Sequence, residues 1–467
     1  MAIEFLGAAQ NVTGSRYLLE CNDSRILVDC GLYQERDFRE RNWDPFPVEP
    51  GTIDSLLLTH AHVDHCGYVP KLVRDGFQGN IFCTPATSEI ARIVLLDAAH
   101  LQVEDAEFKR KRHEREGRKG QYPEIPLYTE EDATASLPFF SPRDYRESVD
   151  IGNGVEAEFH EAGHILGSSM IRLKVRTDSE ERTILFSGDI GRWNKPILKD
   201  PTVFDLADYV IVESTYGGRL HDDTAGIDDL LEDAIISTIR RGGNVVIPSF
   251  AIGRVQEVLY RLNSLLIEKR IPQVDVYIDS PMAIRVTEVF KHHRELFDEE
   301  MTHLVNDGHS PFNFPGLKMA SSIEDSKAIN YVRKGAIIIA GSGMCTGGRI
   351  KHHLVSNIPR PESTVLFVGY QAVGTLGREI VEGAKQVRIH GQHYPVRAKI
   401  AQIHGFSAHA DRGELLKWLS SLESPPKHVF VTHGEPDASA KFADLLKEKM
   451  GWHVSVPHYK QRQVLPG

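Results

Sequence analysis

The sequence predicts an α/β fold in which a β-rich stretch gives way to strand–helix alternation and then resumes. Three observations predict it. Up to about residue 215, short apolar or alternating runs are separated by Gly, Asp and Asn, the pattern of strands joined by turns. From 216 to about 395, apolar runs of strand length are followed by longer helical segments, as βαβ units on a parallel sheet require. From about 396 short strands return, with His-rich turns at their ends.

Residues 3–6, 16–19, 25–28, 55–58 and 81–83 read as the first strands. Residues 88–119 turn helical and then strongly polar. They run into Lys109-Arg-Lys-Arg-His-Glu-Arg-Glu-Gly-Arg-Lys-Gly120, where seven basic residues stand against two acidic ones. Such a run is either the solvated face of a helix or a patch that steers polyanions. Strands resume at 155–160, 170–175, 183–186 and 209–213. In the middle stretch, 244–248 is followed by the helical segment 254–268, and 336–340 by 348–355. Residues 399–403 and 428–432 read as strands of the closing stretch. No internal repeat, low-complexity tract or long linker interrupts the pattern.

Composition limits the function. A chain of 467 residues has room for about three domain-sized pieces. Its 41% hydrophobic and 25% charged residues exclude wholesale disorder and a coiled-coil rod. With 54 Lys and Arg against 65 Asp and Glu, the net charge of -11 excludes a protein that coats nucleic acid through overall charge. Any polyanion must find a local patch. Five cysteines without a C-x-x-C pair indicate neither a disulfide framework nor a thiolate zinc site, and point to a reducing cytoplasm. The N-terminal residues lack a basic segment followed by an apolar one, and no window is long enough to span a membrane, so a cytoplasmic protein without membrane association is expected. The 22 histidines are the anomaly, because neutral imidazole is the commonest ligand of zinc and related metals.

The most informative segment is Leu56-Leu-Leu-Thr-His60-Ala-His62-Val-Asp64-His65-Cys-Gly67. An apolar strand delivers three imidazoles and one carboxylate into a short turn, where side chains can converge. Packing alone has no use for four ligating side chains there, so the segment predicts a metal site. Cys66 beside it reads as a small packing residue.

This motif resembles the signature of the metallo-β-lactamase fold. The resemblance implies that His60 and His62 join a distant histidine on one metal, while Asp64 and His65 help to hold a second. His164, in Glu161-Ala-Gly-His164, and Asp189, in Phe186-Ser-Gly-Asp189, match the later strand-end ligand positions, with Asp189 bridging both metals. Asp29, in Leu27-Val-Asp29-Cys-Gly31, matches an early Asp that orients ligand imidazoles. Nearly 200 residues then separate Glu213 from the final strands, a departure shared with the β-CASP branch, whose members process nucleic acids. Glu213, Phe406-Ser-Ala-His409-Ala-Asp411 and Val431-Thr-His433-Gly-Glu435 match the three extra motifs of that branch in order. Pro248-Ser-Phe-Ala-Ile-Gly-Arg254 and Gly341-Ser-Gly-Met-Cys-Thr-Gly-Gly348-Arg349 strengthen the match, which covers essentially the whole chain and is closest to the RNA-cleaving members.

The resemblance implies an αβ/βα sandwich assembled from residues 1–215 and 396–467, with a parallel-sheet β-CASP domain inserted at 216–395. It implies two Zn2+, with Mn2+ chemically admissible. His60, His62, His164 and Asp189 would hold one ion, and Asp64, His65, Asp189 and His433 the other. His409, held by Glu213, is the expected general acid, and Ser407, Arg254, Arg349 and Lys351 are expected to line the substrate groove. The Gly341–Gly348 turn could approach a polyanion or simply allow close packing. The expected activity is hydrolysis of single-stranded RNA by water activated at two metals; the resemblance implies endonucleolytic cutting and leaves a 5′–3′ exonuclease mode open. A small-molecule ester or lactone hydrolase and a non-catalytic RNA-binding scaffold are the competing readings. A homodimer is compatible with the sequence but not indicated by it.

Overall fold

The computed structural model describes residues 1–119, 124–176, 180–221 and 226–466. The chain divides into two compact units. Met1–Asn194, Lys199–Leu220 and His409–Gly467 make the first, and Lys195–Leu198 with His221–Ala408 make the second.

The first unit contains two seven-stranded sheets. One runs, in spatial order, through Gln461–Val464, Ala2–Phe5, Tyr17–Cys21, Ser24–Val28, Ser55–Leu57, Asn80–Cys83 and Phe140–Pro142. Its first four strands pair antiparallel and the rest parallel. The other runs through Val454–Ser455, His428–Thr432, Tyr209–Glu213, Glu181–Phe186, Ser169–Arg176, Val155–Glu161 and Ser148–Gly152, parallel over the first four and antiparallel beyond.

Strand alternation decides the layers. Tyr209 and Ile211 face the core between the sheets with Phe5, Val28, Leu57, Phe159, Phe186 and Phe430. Val210 and Val212 point the other way and pack with Leu415, Trp418, Phe442 and Leu446. Those four belong to helices Arg412–Leu419 and Pro436–Met450, which therefore cover the outer face of the second sheet. One charged group lies deep in this unit: Arg16 is 2% exposed, and its Nε and Nη2 donate to the Gly31 carbonyl at 3.0 and 2.7 Å. The guanidinium sits over the ring of Tyr68 at 4.0 Å, with Tyr33 and Phe46 at 5.1 and 5.4 Å. Aromatic faces thus take the place of an acidic partner.

Helix Pro85–Glu116 is capped by Thr84, whose hydroxyl accepts from Thr87 N, and buries Ile90, Ala91, Val94 and Leu95 near its start. Towards its end the basic side chains are exposed and paired along the helix itself, Lys109 with Asp105, Lys111 with Glu107 and Arg112 with Glu116. That is the solvated-face arrangement. Gly120, the end of the basic run, lies outside the described residues.

The second unit is built on six parallel strands in the order Leu317–Met319, Asp275–Asp279, Ala336–Ala340, Val245–Pro248, Thr364–Phe367 and Lys399–Gln402. The two central strands, Ala336–Ala340 and Val245–Pro248, are apolar and buried along their whole length, as a parallel sheet covered by helices demands. Helices Arg254–Ile267, Pro281–His292 and Ile350–Asn357 are among its connections. Here the structure corrects one expectation: Lys399–Gln402, expected in the closing stretch from 396, pairs in register with Thr364–Phe367, and the return to the first unit falls at His409. A short strand with exposed faces carries no mark of the sheet edge that accepts it.

Candidate metal centre

The donor side chains come from the ends of neighbouring strands. Ser55–Leu57 runs into a turn carrying His60 and His62, and the single helical turn Val63–Cys66 carries Asp64 and His65. His164 lies in the turn between Val155–Glu161 and Ser169–Arg176; Asp189 follows Glu181–Phe186, Glu213 ends its strand, and His433 follows His428–Thr432. Gly188 brings Asp189 close to the first motif: a Cβ there would lie 2.8 Å from Cβ of Thr59, and its φ is +53°.

Two donor groups result. His62 Nδ1 lies 3.0 Å from His60 Nε2 and 3.2 Å from His164 Nε2, and Asp189 Oδ2 lies 3.4 and 3.5 Å from the same two nitrogens. In the other group His65 Nε2 lies 3.1 Å from His433 Nε2, with Asp64 Oδ2 at 4.0 and 3.6 Å from them. Asp189 Oδ1 is 3.4 Å from His65 Nε2. One carboxylate therefore turns an oxygen to each group.

These residues fit a metal. A tetrahedral ion with bonds of about 2.0–2.1 Å has ligand atoms about 3.3 Å apart, close to the spacing found. In the first group all four donor atoms lie within 4.8 Å of one another. Asp189 Oδ1, though buried, has no hydrogen-bond partner. In the first group the protonation states agree with this fit. Burial pushes His60 down to about 3 and His62 to about 4, and with His409 nearby holds His164 well below the usual imidazole range, so three lone pairs converge. Burial opposes charge on Asp189 too, but His433, His65 and His409 outweigh it and keep the carboxylate ionised. Burial likewise acts against charge on His65, yet Asp189 and Asp29 raise it well above the usual range. Cys66 is buried and its thiol is pushed up by that burial, which leaves it a packing residue.

Asp29 supports the cluster from behind. Its Oδ2 lies 2.7 Å from His65 Nδ1, and its Oδ1 accepts from Thr59 N at 2.8 Å. The Thr59 hydroxyl donates to Asp29 and lies 3.0 Å from His60 Nδ1, so one threonine links both donor groups. Thr215 Oγ1 stands 3.1 Å from His433 Nδ1. Sequence reasoning missed Thr59 and Thr215; for Thr59 its place directly before the first histidine was the available signal.

Glu213 is anchored by Ile190 N, which donates to its Oε1 at 2.7 Å, and both its oxygens lie 3.3 Å from His409 Nδ1. Burial disfavours charge on His409, but the carboxylates of Glu213 and Asp189 outweigh it and push the imidazole up to about 10. Asp411 caps helix Arg412–Leu419, accepting from Gly413 N and Glu414 N, and so fixes the backbone two residues beyond His409.

The four residues expected to meet substrate lie in the second unit. Arg349 is committed to Asp279 at 2.6 Å and to the Ala320 carbonyl at 3.0 Å, and Arg254 donates to the Val368 carbonyl. Lys351 has no ion pair among the described residues, and Ser407 is partly buried.

Residues 12–249 match the metallo-beta-lactamase superfamily, 255–380 the Beta-Casp domain, and 393–457 the Zn-dependent metallo-hydrolase RNA specificity domain. Sandwich, strand-end donors and these matches together define a metallo-hydrolase. Ribonuclease TTHA0252 of Thermus thermophilus is 38% identical over 98% of this chain and 99% of its own length. Transcription termination factor FttA of Methanosarcina mazei is 33% identical over 95% of this chain and 68% of that protein. A solved structure of a protein of unknown function from Enterococcus faecalis, 11% identical, shares the fold over 99% of both chains with a TM-score of 0.57. The chain belongs to the metallo-β-lactamase superfamily and, within it, to the β-CASP family.

Proposed function

We propose that the chain is a zinc-dependent ribonuclease that hydrolyses phosphodiester bonds of single-stranded RNA. The observation that carries this reading is Asp189, which turns one oxygen to each of two adjacent donor groups beside a histidine faced by Glu213. His60, His62, His164 and Asp189 would hold one Zn2+, and Asp64, His65, His433 and Asp189 the second. Mn2+ is the admissible alternative for such a set of imidazoles and carboxylates. Bound there, two divalent ions supply Lewis acidity, lowering the pKa of water and neutralising charge on the phosphoryl oxygens.

The chain's own side chains do the rest. Asp29 and Thr59 orient His65 and His60, and Thr215 orients His433. Glu213 faces Nδ1 of His409, which leaves Nε2 to deliver a proton to the departing 3′-oxygen as its bond to phosphorus breaks and the oxygen of water takes its place; the water's proton passes to solvent, from which His409 is reprotonated. The His409 side chain is 21% exposed, enough for substrate to reach it. The products are a 5′-phosphate and a 3′-hydroxyl. RNA is favoured by the match of residues 393–457 to an RNA specificity domain and by the relative named as a ribonuclease. Cleavage is endonucleolytic, with a 5′–3′ exonuclease mode besides. The five cysteines are free and buried, which supports a cytoplasmic location; no helix among the described residues is long and apolar enough to cross a membrane.

The test is incubation of the zinc-loaded protein with end-labelled linear RNA and with a circular single-stranded RNA. Cutting of the circle, lost on chelation and in Asp189→Ala, is expected. Full activity after either treatment would sink the metal mechanism, and an intact circle beside a degraded linear RNA would remove the endonuclease mode.

A further inference from the structure

In the second unit, Val245–Pro248 lies between Ala336–Ala340 and Thr364–Phe367, all parallel. The loops leaving the carboxyl ends of these three strands are therefore neighbours, at the end of an open parallel sheet where ligands bind. They are stitched together. Gln371 Nε2 donates to the Gly343 carbonyl at 3.0 Å, Gly377 N to the Met344 carbonyl at 3.1 Å, and Ser249 N to the Ala340 carbonyl at 3.0 Å. A Cβ on Gly343 would lie 2.8 Å from ring atoms of Phe250, so that ring rests directly on a peptide backbone.

This loop cluster breaks two habits of the chain. Phe250 is 43% exposed, Tyr370 51% and Val373 82%, although the loops that carry them are tied down. Large apolar side chains grouped on a fixed surface mark a binding site more often than singly scattered ones do. Charge is the second departure. In a chain with 65 acidic residues, segments 249–254, 341–351 and 368–378 contain no Asp or Glu and four basic residues, Arg254, Arg349, Lys351 and Arg378. Arg349 is held by Asp279 and Arg378 by Glu382, whereas Lys351 has no ion pair among the described residues. Exposed rings among backbone amides and one ammonium without an ion pair, on loops that carry no Asp or Glu of their own, suit one kind of occupant: an unpaired polyanion whose bases need a flat apolar face.

We propose that Phe250 and Tyr370 form a stacking platform for bases of single-stranded RNA, a proposal that rests on the ribonuclease reading above. Fixed by the loop cross-links, the two rings take bases without regard to sequence, since every base has a face to stack. They act on binding and on the register of the strand, not on the reacting phosphate.

Fluorescence anisotropy of the zinc-loaded full chain, with His409→Ala in every arm so that the oligomer stays intact, compares a 12-nucleotide adenylate RNA with an abasic backbone of the same length. The base-bearing oligomer is expected to bind at least about tenfold more tightly, since stacking one base is worth about five- to hundredfold. Phe250→Leu and Tyr370→Leu, which keep apolar bulk and lose the ring, should each close that gap by about fivefold or more. Tyr370→Phe should leave it open. Leucine variants that preserve the gap, or that weaken both oligomers equally, overturn the platform while leaving RNA binding in place. No binding of either oligomer before substitution would overturn the ribonuclease reading, and the platform with it.

Discussion

Glu213 sets both of its carboxylate oxygens 3.3 Å from Nδ1 of His409. The pair is held from both sides, by Ile190 N on the glutamate and by the Asp411 cap just beyond the histidine. The pair is not separate from the donor groups, since a Glu213 oxygen lies within 4.8 Å of donor atoms of Asp189 and His433, and His409 Nδ1 lies 3.9 Å from Asp189 Oδ2.

His409→Ala is expected to keep its full metal content and to lose about 10²- to 10⁴-fold in kcat, the usual worth of a general acid. Glu213→Gln should lose less, because the amide still orients the ring. Metal analysis beside single-turnover cleavage of RNA checks both. Loss of metal in His409→Ala would make that residue a ligand.

Asp29→Asn and Thr59→Val are expected to weaken metal binding by about 10- to 100-fold, because each removes a contact that orients an imidazole. Thr59→Ser keeps the hydroxyl and should bind as the parent does. Competition with a chromophoric chelator reads the affinity directly. Activity of Thr59→Val should return at high zinc, which a folding defect would not allow.

Glu161 supplies a pH dependence. Burial raises its carboxyl to about 7 from an ordinary 4.5, although Gly163 N and Lys199 pull the other way. Ionisation is then easier in the unfolded chain, so stability is greatest below the unfolded pKa and falls as pH rises through 7. Glu161→Gln should stabilise the metal-stripped protein by about 1–2 kcal/mol at pH 8–9, after discounting for partial exposure, and by nothing below pH about 4.5. Urea midpoints at the two pH values test the difference; a gain at acid pH would refute it.

Arg16→Lys is expected to cost about 2–4 kcal/mol, since an ammonium can neither fork onto the Gly31 carbonyl nor stack flat on Tyr68. The urea midpoint should fall without a change in slope. A loss below about 0.5 kcal/mol, the ordinary effect of a surface substitution, would show that the aromatic cage does not depend on the guanidinium.

Part of this molecule was legible before any coordinates. His60, His62, Asp64 and His65 fall within six consecutive positions after an apolar strand, and no packing role explains four ligating side chains in one turn. His164, Asp189 and His433 sit singly in turns and could be read only through their resemblance to a family pattern, because a lone turn residue carries no local sign of what it faces. Thr215 was not legible, and Thr59 offered only its place before His60: what a hydroxyl does depends on which nitrogen or carboxylate stands opposite, and that is set by tertiary packing. The pairing of Arg349 was not legible for the same reason. In a glycine-rich turn this residue reads as an available cation, yet Asp279, on a strand paired beside Ala336–Ala340, takes its charge. Lys399–Gln402 was recognisable as a strand, but the edge it joins is chosen by the partner and not by its own residues.

The first unit closes on itself through its last strands: Gln461–Val464 pairs with Ala2–Phe5, and His433 meets His65 across 368 positions. Synthesis on the ribosome therefore imposes an order. At about 5–20 residues per second, His65 waits roughly 20–70 s for its counterpart. Every strand of the inserted sheet, from Val245 to Gln402, has been made by then. A nascent chain carries all of His60, His62, His164 and Asp189 by residue 189, whereas Asp64 and His65 must wait for His433, so the two donor groups are completed at widely separated times.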